Sequence, residues 1–406
     1  MGCELRIDKQ TLKCCFRAFA LTLKPSDYYR PAAPSGTSAD SIFSRSAALK
    51  QPIASPQQAV LTQPAFMPSP PGGQMPLNSP LYVSRTEAER SCAQALTRPG
   101  ALLRIKGARQ TGKTSLMARL TQQAIQQGYQ PVLIRFQLAE KSVLQDLESL
   151  LKWFCASVGL GLGRSPDLDT YWDSLFGSKV SCKLYFEQYL LAGSDRPVVL
   201  MLDDVDRLFH NLEVADEFFG LLRTWYEEAK TSETWQKLRM VIAQSSEVYI
   251  PLNINKSPFN VGVAVTLPPF TPQDIQSMAA AYDLTWPPEA AAALCQLIGG
   301  HPYLAHLTVD AVQRTQTPLS AILADPLGSD VFLPHLQHHL NQVQQQDSLT
   351  AVLSHLLDEN MPPSSDLAEL YQLQGMGLVT FQNDVPKLSC DLFAAYFSSH
   401  LSLLAA

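Results

Sequence analysis

Five short apolar runs punctuate the middle of the chain: ALLRIKG (101–107), PVLIRFQL (131–138), PVVLML (197–202), LRMVIAQ (238–244) and VGVAVTL (261–267). Runs of this length, bounded by polar or turn-forming residues, predict buried strands. Between them the period changes. In 113–128, Leu116, Leu120 and Ala124 recur four apart on one helical face, and Gly128 stops the helix. Helices are also predicted over 142–158, about 180–192 and 213–230. The run PVVLML is almost purely apolar, the texture of a strand covered on both faces of a parallel sheet. Strands alternating with helices predict an α/β domain built on a parallel sheet.

After Pro269 the strand pattern ends. Thr271 is placed to cap a helix that has Pro272 at its first position. Further helices are predicted over 289–298 and 302–315. GLVTFQNDVPKLS (377–389) reads as two short strands around an Asn-Asp turn, with a last helix over 390–404. Helices followed by a small hairpin suggest a winged-helix-like module. Ahead of the sheet, eleven of the 29 prolines fall between Pro25 and Pro80, which predicts a linker without a core. Residues 4–24 could form one short amphipathic helix, which that linker would tether. The expected division is a tail and linker over 1–75, an α/β domain over 76–270, a helical lid over 271–325 and the C-terminal module over 326–406.

Composition narrows the setting. The net charge is −6, from 31 bases and 37 acids, which gives no global attraction to nucleic acid or an anionic membrane. The eight cysteines form no CxxC pair and lie mostly in apolar segments, as reduced thiols of a cytoplasmic protein would. Arg17 interrupts the apolar patch near the N-terminus, a poor signal peptide. No apolar run approaches the roughly 20 residues of a spanning helix.

The chemistry sits in GARQTGKTS, Gly107 to Ser115. It matches GxxxxGK[ST] between a predicted strand and a predicted helix, the context of a phosphate-binding loop. The residues Gly107, Ala108, Arg109, Gln110, Thr111, Gly112, Lys113, Thr114 and Ser115 would wrap the phosphates with backbone N–H groups, helped by the helix N-terminus. Lys113 would reach the β- and γ-phosphates, and the Thr114 hydroxyl would ligate Mg²⁺. A metal anchor follows in VVLMLDDVDRL (198–208), where Asp203 ends a buried strand beside the loop. Asp204 stands where hydrolysing ATPases commonly carry a water-orienting glutamate, and its shorter side chain predicts slow turnover. The next strand ends in Gln244, Ser245 and Ser246, candidates to sense the γ-phosphate, or an ordinary strand cap. Arg207, Arg223 and Arg239 are candidate charge-stabilising fingers, or solvated and ion-paired residues.

With these parts, residues 72–400 resemble a bacterial family of AAA-like P-loop ATPases related to the signal-transduction (STAND) class. The stretches that carry the resemblance include GGQMPLNSPLYVSR (72–85), ALLRIKGARQTGKTSLMARL (101–120), FGSKVSCKLYFEQYLL (176–191), LDDVDRLF (202–209), EVYIPLNINKSPFNVG (247–262), FTPQDI (270–275) and GGHPYL (299–304). It implies an ASCE-type P-loop NTPase with a five-stranded parallel sheet, in which another strand separates the Walker B strand from the Walker A strand. A helical lid and a winged helix would follow. It also places Tyr82 to Arg85 near the adenine, and Gly300-His301-Pro302 as the lid motif whose Pro302 approaches the nucleotide. Thr111 stands where methionine is common in the family, and Asp204 where glutamate is usual.

The implied cofactors are ATP and Mg²⁺, with ADP as product. Two readings of function follow: a nucleotide-operated switch with a protein partner, or a DNA-acting ATPase whose winged helix binds duplex. A third, a binding-only scaffold, depends on Asp204. Between Val331 and Ala406 there is one base, Lys387, against seven acids. Phosphate-backbone binding needs several cations on one face, so a protein-docking role is expected and nucleic acid disfavoured. A nucleotide-dependent homo-oligomer is compatible with this reading. His335, His338, His339 and His355 are expected on a polar helix face.

Overall fold

The computed structural model describes residues 71–173, 175–245, 258–358 and 366–401. The helix expected over 4–24 and most of the proline-rich linker lie outside the described residues. Five parallel strands, β1 (Leu102–Lys106), β2 (Gln130–Arg135), β3 (Val198–Asp203), β4 (Leu238–Gln244) and β5 (Val263–Thr266), form one sheet in the order β2-β3-β4-β1-β5. β4 thus separates β3 from β1, as the family resemblance implies.

The period-2 alternation of a strand sorts its side chains between two cores. Leu200, Leu202, Met240 and Ile242 enter a cluster on one face; Val199, Met201, Val241 and Ala243 enter a second cluster on the other. Helices α1 (Thr86–Leu96) and α2 (Lys113–Gln126) supply the second cluster with Cys92, Leu116 and Leu120. The first is closed by α3 (Leu147–Gly161), α4 (Gly177–Leu184, continued by a wider turn over Tyr185–Leu191) and α5 (Leu212–Glu228). Its centre is aromatic: Phe154 stacks on Phe186, Phe186 meets Trp225 at a tilt, and Trp225 stacks on Trp235. Covered twice, β3 and β4 are buried along their whole length.

Two strand readings are corrected. The apolar run 131–138 leaves the sheet after Arg135, and Phe136–Leu138 form a 3-10 turn that drops Phe136 into the core. β5 starts at Val263 because Gly262 is left-handed (φ 70°), and a Cβ there would meet the Leu102 carbonyl at 2.3 Å. The predicted helix at 142 begins at Leu147, where Asp146 caps it by accepting from the Ser149 N–H at 2.8 Å.

Beyond the sheet lie α6 (Pro272–Ala280), α7 (Pro288–Ile298), α8 (Pro302–Thr315) and α9 (Leu319–Ala324), then α10 (Leu333–Gln344), α11 (Asp347–Leu357) and α12 (Leu367–Met376). The antiparallel pair β6 (Val379–Gln382) and β7 (Val385–Leu388) and α13 (Asp391–Leu401) follow. Thr271 caps α6 in a reciprocal capping box with Asp274. Asn383 and Asp384 both take positive φ at the hairpin turn. One hydrophobic cluster runs from Leu81 and Phe270 through α6–α13. Among the described residues no helix is long and apolar enough to cross a membrane.

Gly300, between α7 and α8, is in the left-handed region (φ 65°), where a Cβ would lie 2.2 Å from the Phe270 carbonyl. The Gly300 carbonyl in turn accepts from the Phe270 N–H at 2.7 Å. Gly300→Ala is expected to destabilise the chain by about 2–4 kcal/mol, combining left-handed strain with a backbone clash. Urea unfolding of the full chain measures it; a cost below about 1 kcal/mol would mean the junction relaxes freely.

A candidate nucleotide-binding cleft

The loop between β1 and α2 curls because Gln110 (φ 60°) and Gly112 (φ 99°) are left-handed. Gly107 allows close approach: a Cβ there would sit 2.8 Å from Thr111 Oγ1. The Thr111 hydroxyl donates to the Ala108 carbonyl at 2.8 Å and pins the curl. Lys113 Nζ donates to the carbonyls of Gly107 and Ala108, both at 2.7 Å, so the ammonium is held over its own loop. Burial pushes Lys113 down to about 8, while Asp206, Asp203 and Asp204 pull the other way.

β3 delivers its last residue, Asp203, buried at the carboxyl edge of the sheet. The Thr114 hydroxyl donates to Asp203 Oδ2 at 3.0 Å, so a hydroxyl and a carboxylate converge from two elements far apart in sequence. Hard oxygen donors in this arrangement suit Mg²⁺. Asp204 is left-handed (φ 59°) and its N–H donates to Asp203 Oδ1 at 3.1 Å. Burial, then the neighbouring Asp203 and Asp206, hold the Asp204 carboxyl above the usual carboxylate range.

A cavity of about 1350 Å³ opens at this sheet edge, where open α/β sheets bind ligands. Arg109, Gln110, Gly112, Lys113, Thr114 and Ser115 line it from the loop; Asp203, Asp204, Tyr82 and Pro302 join them. Gly107, Ala108 and Thr111 turn carbonyls to the side chains of Lys113 and Arg85. The segment Tyr82–Arg85 is fastened to the loop: Arg85 donates to the Thr111 carbonyl at 2.7 Å and lies over the Phe270 ring. Tyr82 donates to Glu89 at 2.8 Å with Arg119 stacked on its ring.

The three candidate arginines separate. Arg207 lines the cavity and donates to the Phe136 carbonyl at 2.9 Å. Arg223 bonds Asn260 and pairs with Glu227. Arg239 is buried, donating to the Leu96 carbonyl and facing the Tyr129 ring. Ser245 lines the cavity, Gln244 is buried, and Ser246 lies outside the described residues.

Several cavity residues escaped the sequence reading. Gly72–Met75 form a strap across one wall, tied by the Met75 N–H donating to Ser115 Oγ at 2.9 Å. Asp206 was visible only as a third acid in LDDVD. Gln342, Gln346, Gln372 and Gly375 also line the cavity, and uncharged glutamines give no sequence signal of a site. The Gly375 carbonyl accepts from the Arg109 N–H at 3.1 Å, joining α12 to the phosphate loop.

The histidine expectation is corrected in part. His338 and His355 are exposed, but His335 and His339, one turn apart, sit on the buried face of α10 with Leu336 and Val343. Their rings lie 4.5 Å apart, and His335 is 5.9 Å from His301. Burial pushes His301 and His339 down to about 3 and His335 to about 4, so all three are neutral imidazoles.

A family model described as an AAA-like domain matches residues 70–399. An uncharacterized WD repeat-containing protein of Synechocystis sp. is 25% identical over 260 residues, 60% of this chain, and the chain spans about a fifth (21%) of that relative's length. The Walker-type ATPase of Pyrococcus abyssi superposes with a TM-score of 0.54 at 14% identity, over 78% of this chain and 96% of that one. A STAND protein with a tetratricopeptide repeat sensor from Pyrococcus horikoshii gives a TM-score of 0.34 at 15% identity, over 78% of this chain and 42% of that one.

Proposed function

Because the chain belongs to the AAA-like domain family, whose P-loop NTPase fold supports nucleotide binding and ATPase activity, we propose that it is an ATP-operated switch with slow turnover. The observation that carries this reading is the composition of the cavity wall. The phosphate loop and the C-terminal helices enclose one space, and Arg109 is hydrogen-bonded to Gly375 across it. A ligand filling that space touches both parts, so its charge state acts on their separation.

In this reading Lys113 and the loop N–H groups other than that of Arg109, which is bonded to Gly375, hold the phosphates, Thr114 and Asp203 hold Mg²⁺, and Asp204 orients water. Bound Mg²⁺ supplies charge neutralisation at the phosphate oxygens. Tyr82 and Pro302, which also line the cavity, are assigned to the base. Arg207, already at the cavity, serves as the finger in the same chain. Residues 271–325 act as the lid, and 326–406, a winged-helix-like module, dock a protein partner. One base against seven acids in 331–406 supports a protein rather than a duplex. The setting is cytoplasmic.

Two substitutions test the division of labour. Asp203→Asn should weaken Mg²⁺-dependent ATP binding about 10- to 100-fold. Asp204→Asn should leave binding within about threefold and lower turnover about 100-fold. Calorimetric titration with and without Mg²⁺, beside a phosphate-release assay, reads both. Equal effects from the two variants would refute the assignment.

A further inference from the structure

A second cavity, of about 480 Å³, opens beside the cleft. Lys141, Gln145, Arg207, His210 and Asn211 line it over the buried Leu144. Arg207 and His210 line the cleft as well, so the two spaces meet at those side chains. Two segments far apart in sequence build the second cavity: the loop after β2, and the 3-10 turn Val205–His210 after β3. They are pinned together, since Asn211 Nδ2 donates to the Gln145 carbonyl at 3.0 Å and Arg207 Nη1 to the Phe136 carbonyl at 2.9 Å. Asn211 also caps α5, accepting from the Val214 N–H at 3.4 Å, which brings the positive end of that helix to the cavity. No carboxylate lines this space, whereas Asp203, Asp204 and Asp206 line the cleft. Neither Lys141 nor His210 makes an ion pair or a side-chain hydrogen bond among the described residues.

We propose that this cavity is an oxyanion pocket that receives the inorganic phosphate cut from ATP before it leaves the chain. The proposal rests on the ATP-hydrolysing reading of the cleft. An ammonium, a guanidinium, an imidazole and the Gln145 carboxamide can all donate to one ligand there. That donor set suits a small anion with several oxygens, and no carboxylate on the walls competes for it. The position supplies the source. The Arg207 N–H donates to the Asp204 carbonyl at 3.2 Å, so the shared wall begins one turn from the acid assigned to the water. A phosphate ion set free in the cleft faces three carboxylates on one side and the Lys141 charge beyond Arg207 on the other, and that field draws it out of the cleft. Arg207 has several N–H donors and commits one of them to Phe136, so the same guanidinium can hold the phosphoryl group from the cleft side and the freed ion from the other.

The test uses the full chain. In the first arm a non-hydrolysable ATP analogue with Mg²⁺ fills the cleft, so that the γ-phosphate position cannot take the probe. Equilibrium dialysis with radiolabelled inorganic phosphate should then find a single phosphate site. Lys141→Ala should weaken it about tenfold and His210→Gln about threefold, each the loss of one hydrogen bond to an anion. Lys141→Arg should keep it within about twofold, because the charge and its donors remain. Analogue affinity should stay within about twofold in all three variants, which also reports that they are folded. In the second arm the chain cuts a limiting amount of γ-labelled ATP. Rapid filtration should recover labelled phosphate with the protein, and Lys141→Ala should lose it about tenfold faster. An analogue-filled chain that retains no phosphate, or retains it equally well as Lys141→Ala, would overturn the proposal and leave nucleotide binding standing. So would a glutamate-rich peptide that displaces phosphate at a lower concentration, since the pocket would then anchor an acidic partner. A chain that binds no analogue would instead sink the ATP reading, and the source of the phosphate with it.

Discussion

Lys113→Ala is expected to weaken ATP binding by at least about 100-fold, the scale of one lost charge-assisted contact in a buried site. The loop places Nζ on the carbonyls of Gly107 and Ala108, beside Asp203, Asp204 and Asp206. Removing the ammonium does more than delete a contact to phosphate. It leaves three carboxylates facing an incoming anion with a counter-charge gone. The loss should therefore be larger for ATP than for ADP. Titration with a fluorescent nucleotide analogue measures it, and a variant binding ATP within about threefold of the unsubstituted chain would refute the phosphate-loop reading.

The buried histidines give the second large effect. His301, His335 and His339 are neutral in the folded chain, held down to about 3, 4 and 3, against an ordinary value near 6.5 when unfolded. Between these limits the unfolded state binds more protons, so stability rises with pH there and falls on acidification. The contribution is complete above pH 6.5 and is lost progressively below it. Each histidine costs up to about 1.4 kcal/mol per pH unit, so the three together remove about 3–4 kcal/mol between pH 6 and pH 5. His306, also lowered by burial and bonded to the Tyr282 hydroxyl at 2.6 Å, adds in the same direction. Urea midpoints across pH 5–7 should show this slope, and His339→Gln should remove about a third of it. A midpoint independent of pH in that window would show that the imidazoles are reached by water.

What could be read beforehand was what local pattern encodes. The five strands, the loop with its Lys113–Thr114 pair and the Thr271 cap are local features, and each forms near where its period or spacing placed it, two of the strands with shorter bounds. Asp203 was found because a buried strand must end at the sheet edge where the loop also ends. The run 131–138 misled because apolar residues leaving a strand for a core turn look the same as residues continuing it. His335 and His339 misled because α10 is long-range context: its inner face is defined by Phe393 and Tyr303, far away in sequence. The cavity glutamines and Asp206 were invisible for the same reason, since their places come from which elements meet and not from their neighbours.

The joint between the phosphate loop and α12 is made of an amide N–H at Arg109 and a carbonyl at Gly375. Neither atom belongs to a side chain. Alanine scanning of the two helical walls would pass straight over it, and sequences could drift at both positions without losing it. Only proline at 109, which has no N–H, deletes the donor directly. A connection of this kind leaves no mark in residue identity, so a family can keep the linkage while every side chain around it changes.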